Sequence, residues 1–80
     1  MKKLTELEWY GLLRIAKLKV KHNPQLRLGQ SIFNTLTVVR NDLADIVRAT
    51  EYDPFYNDKV IVKLHDYITK PNKNEHSEDE

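Results

Sequence analysis

Two interruptions close together in the first half of the chain predict a sharp turn between two helices. Asn23 and Pro24 follow a Lys-rich helical pattern, and a proline disfavours helical backbone both at its own position and before it. Gly29 stands at the start of a second helical pattern, where it permits either a close approach of other backbone or a positive φ angle. We therefore expect residues 23–36 to form the corner of a small helical domain.

The segment before this corner predicts a helix over residues 6–21. Thr5 and Glu8 have the spacing of a capping box, in which each side chain accepts a hydrogen bond from the other residue's backbone N–H. Leu4 and Trp9 flank the box at the spacing of a hydrophobic staple. A short strand is the weaker alternative for the end of this segment, because apolar and lysine residues alternate there with a period of two.

The predicted helix carries two apolar stripes on nearly opposite sides. The first stripe consists of Trp9, Leu12, Leu13, Ala16 and Val20. The second stripe consists of Leu4, Leu7, Gly11, Ile15 and Leu18, and the basic residues Arg14, Lys17 and Lys21 lie between the two stripes. A surface helix ordinarily buries one stripe. Two stripes indicate either a central helix flanked by others or a helix with one face reserved for a partner.

Apolar residues over 28–50 stay in phase at helical spacing, which allows either one long helix or two shorter ones. We favour a break near residues 38–42, because the β-branched residues just before it are poor helix formers. Asn41 or Asp42 can then cap a third helix that ends near residue 49. These features predict separate second and third helices.

The stretch 52–56 contains three aromatic residues and an Asp-Pro pair. The Asp-Pro pair is typical of a turn, and the aromatic residues indicate a loop that is pinned to the core. Asn57 or Asp58 can cap a last short helix. Together the patterns predict an all-α domain over residues 1–69, a small bundle of three or four short helices.

Composition adds limits on stability, charge and location. A chain of 80 residues forms one domain with a thin core. Residues 14–27 contain five basic and no acidic side chains, whereas residues 75–80 contain four acidic and no basic ones. Residues 70–80 are polar and charged, and we expect them to form a disordered acidic tail. The absence of cysteine and of a long apolar run predicts a soluble cytoplasmic protein.

No pattern in the sequence indicates catalysis or metal binding. His22, His65 and His76 lie in different elements without a trusted partner at metal-ligand spacing. Gly11 and Gly29 are the only glycines, so there is no glycine-rich phosphate loop. We expect a protein that is not an enzyme and that needs neither a metal nor a cofactor.

The second stripe and the basic strip beside it form the candidate partner-binding surface. Exposed apolar stripes on small proteins commonly mark interfaces. The proposed contact residues are Leu7, Gly11, Arg14, Ile15, Lys17, Leu18 and Lys21. We expect another protein as the partner, with a homodimer through the same stripe as the alternative. A membrane surface is disfavoured, because apolar residues on two opposed sides leave the helix without one apolar and one polar face.

Arg27, Gln30 and Asn34 form a polar face on the predicted second helix. A helix-turn-helix protein would present this face, together with Ser31, to the edges of nucleic-acid bases. The competing interpretations are a network that ties the corner to the loop at residues 53–57, or simple solvation. The near-neutral net charge disfavours nucleic acid, so we keep a helix-turn-helix-like nucleic-acid-binding protein as the alternative function.

These residues also carry a resemblance to small uncharacterised proteins of bacteria and their phages. In that group, a Trp-containing first helix precedes the pattern Pro-x-Leu-Arg-x-Gly-Gln-x-x-x-Asn, and an Asp-Pro-Phe-Tyr loop leads into a final helix. Trp9, the stretch 24–34 and the stretch 53–58 match this layout, whereas the Lys-rich first helix and the acidic tail depart from it. No activity is established for the group. The resemblance implies a phage-encoded protein that binds a host protein of transcription, cell division or proteolysis and inhibits or redirects it.

Overall fold

The computed structural model describes residues 2–70, and the chain forms four α-helices within this range. They are α1 (Glu6–His22), α2 (Leu28–Val39), α3 (Asn41–Val47) and α4 (Ile61–Thr69), with a 3₁₀ turn at Asp58–Val60 before α4. No strand occurs among residues 2–70, so the all-α prediction is confirmed and the strand alternative within α1 is wrong. The predicted acidic tail lies outside the described residues, apart from Lys70, the C-cap of α4.

The N-terminal end of α1 follows the sequence prediction. The Glu8 N–H donates to Thr5 Oγ1 at 3.0 Å, and the Thr5 N–H donates to Glu8 Oε1 at 2.9 Å, which completes the capping box. Leu4 and Trp9 are both buried in the same hydrophobic cluster, as a staple requires. The helix continues to His22, where the Asn-Pro pair ends it.

α2 lies at the centre of the fold and packs against α1, α3 and the 3₁₀ turn. Its contact with α1 is close because the small residues Ala16 and Ser31 meet there, and both are fully buried. Ser31 Oγ donates to the Ala16 carbonyl at 2.8 Å, and Thr35 Oγ1 donates to the Ser31 carbonyl at 2.8 Å. These bonds satisfy the buried hydroxyl groups, which would otherwise be costly to bury.

The helix break falls where the sequence predicted it, with Arg40 between α2 and α3. The predicted cap is wrong, because Arg40 is the N-cap of α3 and no side chain accepts a cap hydrogen bond there. Arg40 instead donates through Nε and Nη2 to the Asp42 carboxylate at 2.9 and 2.7 Å, and through Nη2 to the Lys2 carbonyl at 2.6 Å. α3 ends at Val47, short of residue 49, and Ala49 has a φ angle of 65°.

The loop between α3 and α4 is pinned to the core as predicted, but by two of its three aromatic residues, since Tyr56 is exposed. Tyr52 stacks on Tyr67 with ring centroids 4.1 Å apart, and Phe55 packs edge-on against Phe33 at 6.0 Å. Asn57 Oδ1 accepts from the Lys59 N–H at 2.9 Å. The Asn57 side chain therefore caps the 3₁₀ turn rather than α4 itself.

This loop also holds the N-terminal end of α2. Arg27 is the N-cap of α2 but makes no side-chain cap hydrogen bond. Asp58 Oδ1 accepts from the Gly29 N–H at 2.9 Å and so supplies the carboxylate that a local cap would ordinarily provide. Arg27 Nη1 lies 3.5 Å from the same oxygen, and Arg27 Nη2 donates to the Phe55 carbonyl at 2.6 Å. We call Arg27, Gly29, Phe55 and Asp58 the corner network.

The two glycines have different steric surroundings. A Cβ atom on Gly29 would lie 2.3 Å from the Pro54 carbonyl oxygen and 2.6 Å from Asp58 Oδ1. Gly29 does not have a positive φ angle, so close approach of the loop is the reason for glycine at this position. Beyond its chain neighbours and the adjoining backbone of α1, a Cβ atom on Gly11 would meet nothing within 4 Å, and residues 2–70 give no steric reason for glycine there.

We predict opposite effects of alanine at the two glycines. Gly29→Ala should lower the free energy of unfolding by about 2–3 kcal/mol, because the added methyl group forces the loop away from α2. Gly11→Ala should raise it by up to about 1 kcal/mol, because alanine is the better helix former in an exposed helix interior. Urea unfolding followed by circular dichroism measures both changes, and a neutral Gly29→Ala variant would contradict this description of the corner.

Candidate protein-binding surface

One side of α1 is apolar and faces solvent. Leu7 is 81% exposed, Ile15 is 43% exposed and Leu18 is 49% exposed, and Gly11 lies among them on the same side because of the helical spacing. The opposite side buries Trp9, Leu12 and Ala16 in the core. The interpretation of α1 as a central helix flanked by others is therefore wrong within residues 2–70, since nothing in that range covers the second stripe.

Leu4 is the exception among the residues of the second stripe. It precedes α1 and is only 4% exposed, and its N–H donates to the Ile68 carbonyl at 2.8 Å. Lys3 Nζ donates to the Tyr67 carbonyl at 2.6 Å. The segment before α1 is thus bound to the end of α4, and Leu4 belongs to the core.

Two residues from outside α1 extend the exposed apolar side. Val39, at the end of α2, is 48% exposed and shares a shallow hollow of about 250 Å³ with Gly11 and Ile15. Leu26, in the corner, lines a second hollow of about 470 Å³ with Ile15 and Leu18. We call Leu7, Gly11, Ile15, Leu18, Leu26 and Val39 the outer face.

Sequence reasoning missed the two additions to the outer face. Val39 belongs to the apolar pattern of α2, and its phase with the buried positions of that helix conceals its exposure. Leu26 lies between helices, where helical spacing gives no signal about burial. Only tertiary packing brings both residues to this surface, Leu26 from the corner and Val39 from the C-terminal end of α2.

Basic side chains border the outer face along the C-terminal part of α1. Arg14, Lys17 and Lys21 are exposed, and they line a hollow of about 410 Å³ together with Tyr10, Leu13 and Leu18. None of the three makes an ion pair with another described residue. Lys19 differs from them, since its Nζ donates to Thr35 Oγ1 at 3.2 Å. Arg14, Lys17 and Lys21 therefore present positive charge beside the apolar stripe.

The predicted polar recognition face does not come together as a surface. Arg27 is held in the corner network, and Ser31 is fully buried with its hydroxyl bonded to α1. The expectation that Ser31 points outward is wrong. Gln30 is partly buried and Asn34 is exposed, so these two residues alone remain available to a ligand on this face of α2.

Residues 2–70 contain no group of three His, Asp or Glu side chains that could hold a metal ion. His65 is instead part of the contact between α1 and α4, with Nε2 2.8 Å from Glu6 Oε1 and its ring centroid 5.1 Å from that of Trp9. Within the same residues, no helix is both long and apolar enough to cross a membrane.

Comparison with known proteins adds no relative, since no family model, curated protein or solved structure matches the chain. The resemblance to small bacterial and phage proteins therefore stays a prediction. A functional interpretation therefore rests on the exposed residues of the outer face.

The ion pair beside the hollow at Val39 predicts a pH dependence. The hydrogen bonds from Arg40 lower the pKa of Asp42 from 3.8 to about 2. A lowered carboxyl pKa in the folded state stabilises the fold above the ordinary pKa, and this contribution is lost as the pH falls through the folded-state value.

We therefore expect the wild-type chain to lose more stability than an Asp42→Asn variant between about pH 4 and about pH 2. NMR titration of the carboxyl carbons should also give Asp42 a midpoint near the lower value, and Arg40→Gln should move that midpoint upward. An equal acid sensitivity of wild type and Asp42→Asn would contradict the role of this pair.

Proposed function

We propose that this protein is a non-enzymatic protein–protein interaction module whose contact surface is the outer face. The observation that carries the proposal is the exposure of Leu7, Ile15 and Leu18 on one side of a helix whose other side is already in the core. Fully burying one such side chain is worth about 1.5–3 kcal/mol. A partner that covers the stripe would gain this free energy, which the isolated fold does not.

The resemblance described above is the sole support for the kind of partner. On that basis we propose a bacterial host protein of the transcription, cell-division or proteolysis machinery, bound and inhibited or redirected by a phage-encoded chain. The absence of cysteine fits the reducing cytoplasm as the location.

The nucleic-acid alternative has weaker support. A recognition helix needs a row of free polar side chains, and Arg27 and Ser31 are both engaged within the fold. The strip of Arg14, Lys17 and Lys21 could still contact phosphates, so the test has to separate the two functions.

The test is affinity capture from bacterial lysate with the full chain as bait, read by quantitative mass spectrometry. We predict that Ile15→Gln and Leu18→Gln each reduce the capture of a specific protein at least about tenfold, equivalent to about 1.4 kcal/mol of lost apolar contact. Val62→Gln is the matched control, because Val62 is 71% exposed on α4 outside the outer face. Glutamine is a good helix former, so all three variants should keep the fold.

Two outcomes would overturn this proposal. Capture that disappears on nuclease treatment would indicate nucleic acid as the ligand. Equal capture by wild type, Ile15→Gln and Leu18→Gln would show that the outer face is not the contact surface.

A further inference from the structure

The outer face differs in charge between its two ends. Glu6 and Glu8 lie in the first turn of α1, but Glu6 is bonded to His65 and Glu8 to the Thr5 N–H. The C-terminal part presents Lys17 and Lys21 without an ion pair among the described residues. A ligand that matches this surface needs an apolar stripe along its whole length and acidic groups near one end only.

Gly11 lies in the middle of the apolar stripe. Glycine in an exposed helix interior costs about 1 kcal/mol relative to alanine. Apart from the two chain neighbours and the adjoining backbone of α1, a Cβ atom at this position would meet no described atom within 4 Å. The benefit of glycine here has to come from outside the fold. A missing side chain lets another backbone approach closely, and helices pack with axes about 8–10 Å apart depending on the side chains at the contact.

The dimensions of the stripe fit a helix. Leu7 and Leu18 are separated by roughly 17 Å along α1 at about 1.5 Å per residue, which corresponds to about three helical turns of a partner. The hollows on either side of Ile15 combine apolar residues with polar ones. The polar residues are Glu8 and Arg40 in one hollow and Lys19, His22 and Asn23 in the other. Both hollows provide places for side chains of that partner. Such side chains would recur at helical spacing, as on the apolar face of an amphipathic helix.

We propose that the outer face binds an amphipathic α-helix of another protein, antiparallel to α1, with acidic side chains in the N-terminal half of that helix. In this orientation the acidic side chains lie opposite Lys17 and Lys21, and they also stabilise the N-terminal end of their own helix. The inference rests on the proposed function and specifies the chemistry and direction of the partner.

A second copy of the chain is the competing occupant of this surface. Antiparallel pairing of two α1 helices would bring Lys17 and Lys21 of one copy near Glu6 of the other, so a second copy has to be tested directly. Within one copy, Glu6 and Glu8 already have partners in the fold. The chain's own residues 71–80 supply acidic groups but no apolar side chain longer than that of Pro71, so they cannot fill the stripe.

The test uses the full chain and two synthetic helical peptides of identical composition, each with leucines at helical spacing. One peptide carries its glutamates in the N-terminal half, and the other carries them in the C-terminal half. We expect the first peptide to bind about fivefold more tightly by fluorescence anisotropy. Only its glutamates can pair with Lys17 and Lys21 in the antiparallel orientation, and two exposed ion pairs of about 0.5 kcal/mol each amount to about 1 kcal/mol.

Variants of the chain then separate the contribution of the lysines from that of Gly11. Lys17→Gln combined with Lys21→Gln should abolish the preference between the two peptides, whereas the control Lys63→Gln, an exposed lysine on α4, should retain it. Gly11→Ala should weaken binding of the first peptide at least about threefold, although it stabilises the fold. A loss of affinity in a more stable variant cannot be explained by unfolding.

Equal binding of the two peptides, or unchanged binding by Gly11→Ala, would overturn the inference. Either outcome would leave the proposed function intact, provided that Ile15→Gln still reduced the capture of a specific protein from lysate. Dimers in sedimentation equilibrium that dissociate in the Ile15→Gln variant would identify a second copy as the occupant and would also overturn the inference.

Discussion

The carboxylate of Asp58 at the N-terminal end of α2 is the interaction on which the arrangement of the helices depends. α2 has no side-chain cap of its own, and its first backbone N–H groups would otherwise lack a partner. Asp58 accepts from the Gly29 N–H and is accompanied by Arg27. The bond therefore fixes the loop before α4 against the corner after α1, so that both halves of the chain meet at one helix end.

This anchoring makes α2 the central helix and leaves α1 at the surface. α1 packs on α2 through the small pair Ala16 and Ser31 and on α4 through Trp9 and His65. α3 is short and packs on α2, whereas α4 contacts α1 and the 3₁₀ turn. No helix among residues 2–70 packs over Leu7, Ile15 and Leu18, and these three side chains stay exposed.

Local features of the fold could be predicted from the sequence because their physical causes are local. The capping box of α1 depends on residues three positions apart. The break at Arg40 comes directly after three β-branched residues, which are poor helix formers although they lie within α2. For Asp58 the sequence predicts only a local cap, because spacing cannot reveal a bond to Gly29, far earlier in the chain. The prediction that Ser31 points outward is wrong for the same reason, because spacing cannot reveal that packing brings this residue to the Ala16 carbonyl.

Sequence spacing does not reveal contacts between distant parts of the chain, and for this reason the sequence predicts only part of the candidate surface. Helical spacing within α1 correctly groups Leu7, Gly11, Ile15 and Leu18 on one side, whereas Val39 joins them only through tertiary packing. The structure also distinguishes the two glycines, which the sequence alone does not. The fold requires glycine at position 29, where a methyl group would collide with the loop, and it makes no such demand at position 11. Our proposal of a closely approaching partner helix accounts for a destabilising residue that the described fold does not need, in the centre of an exposed apolar stripe.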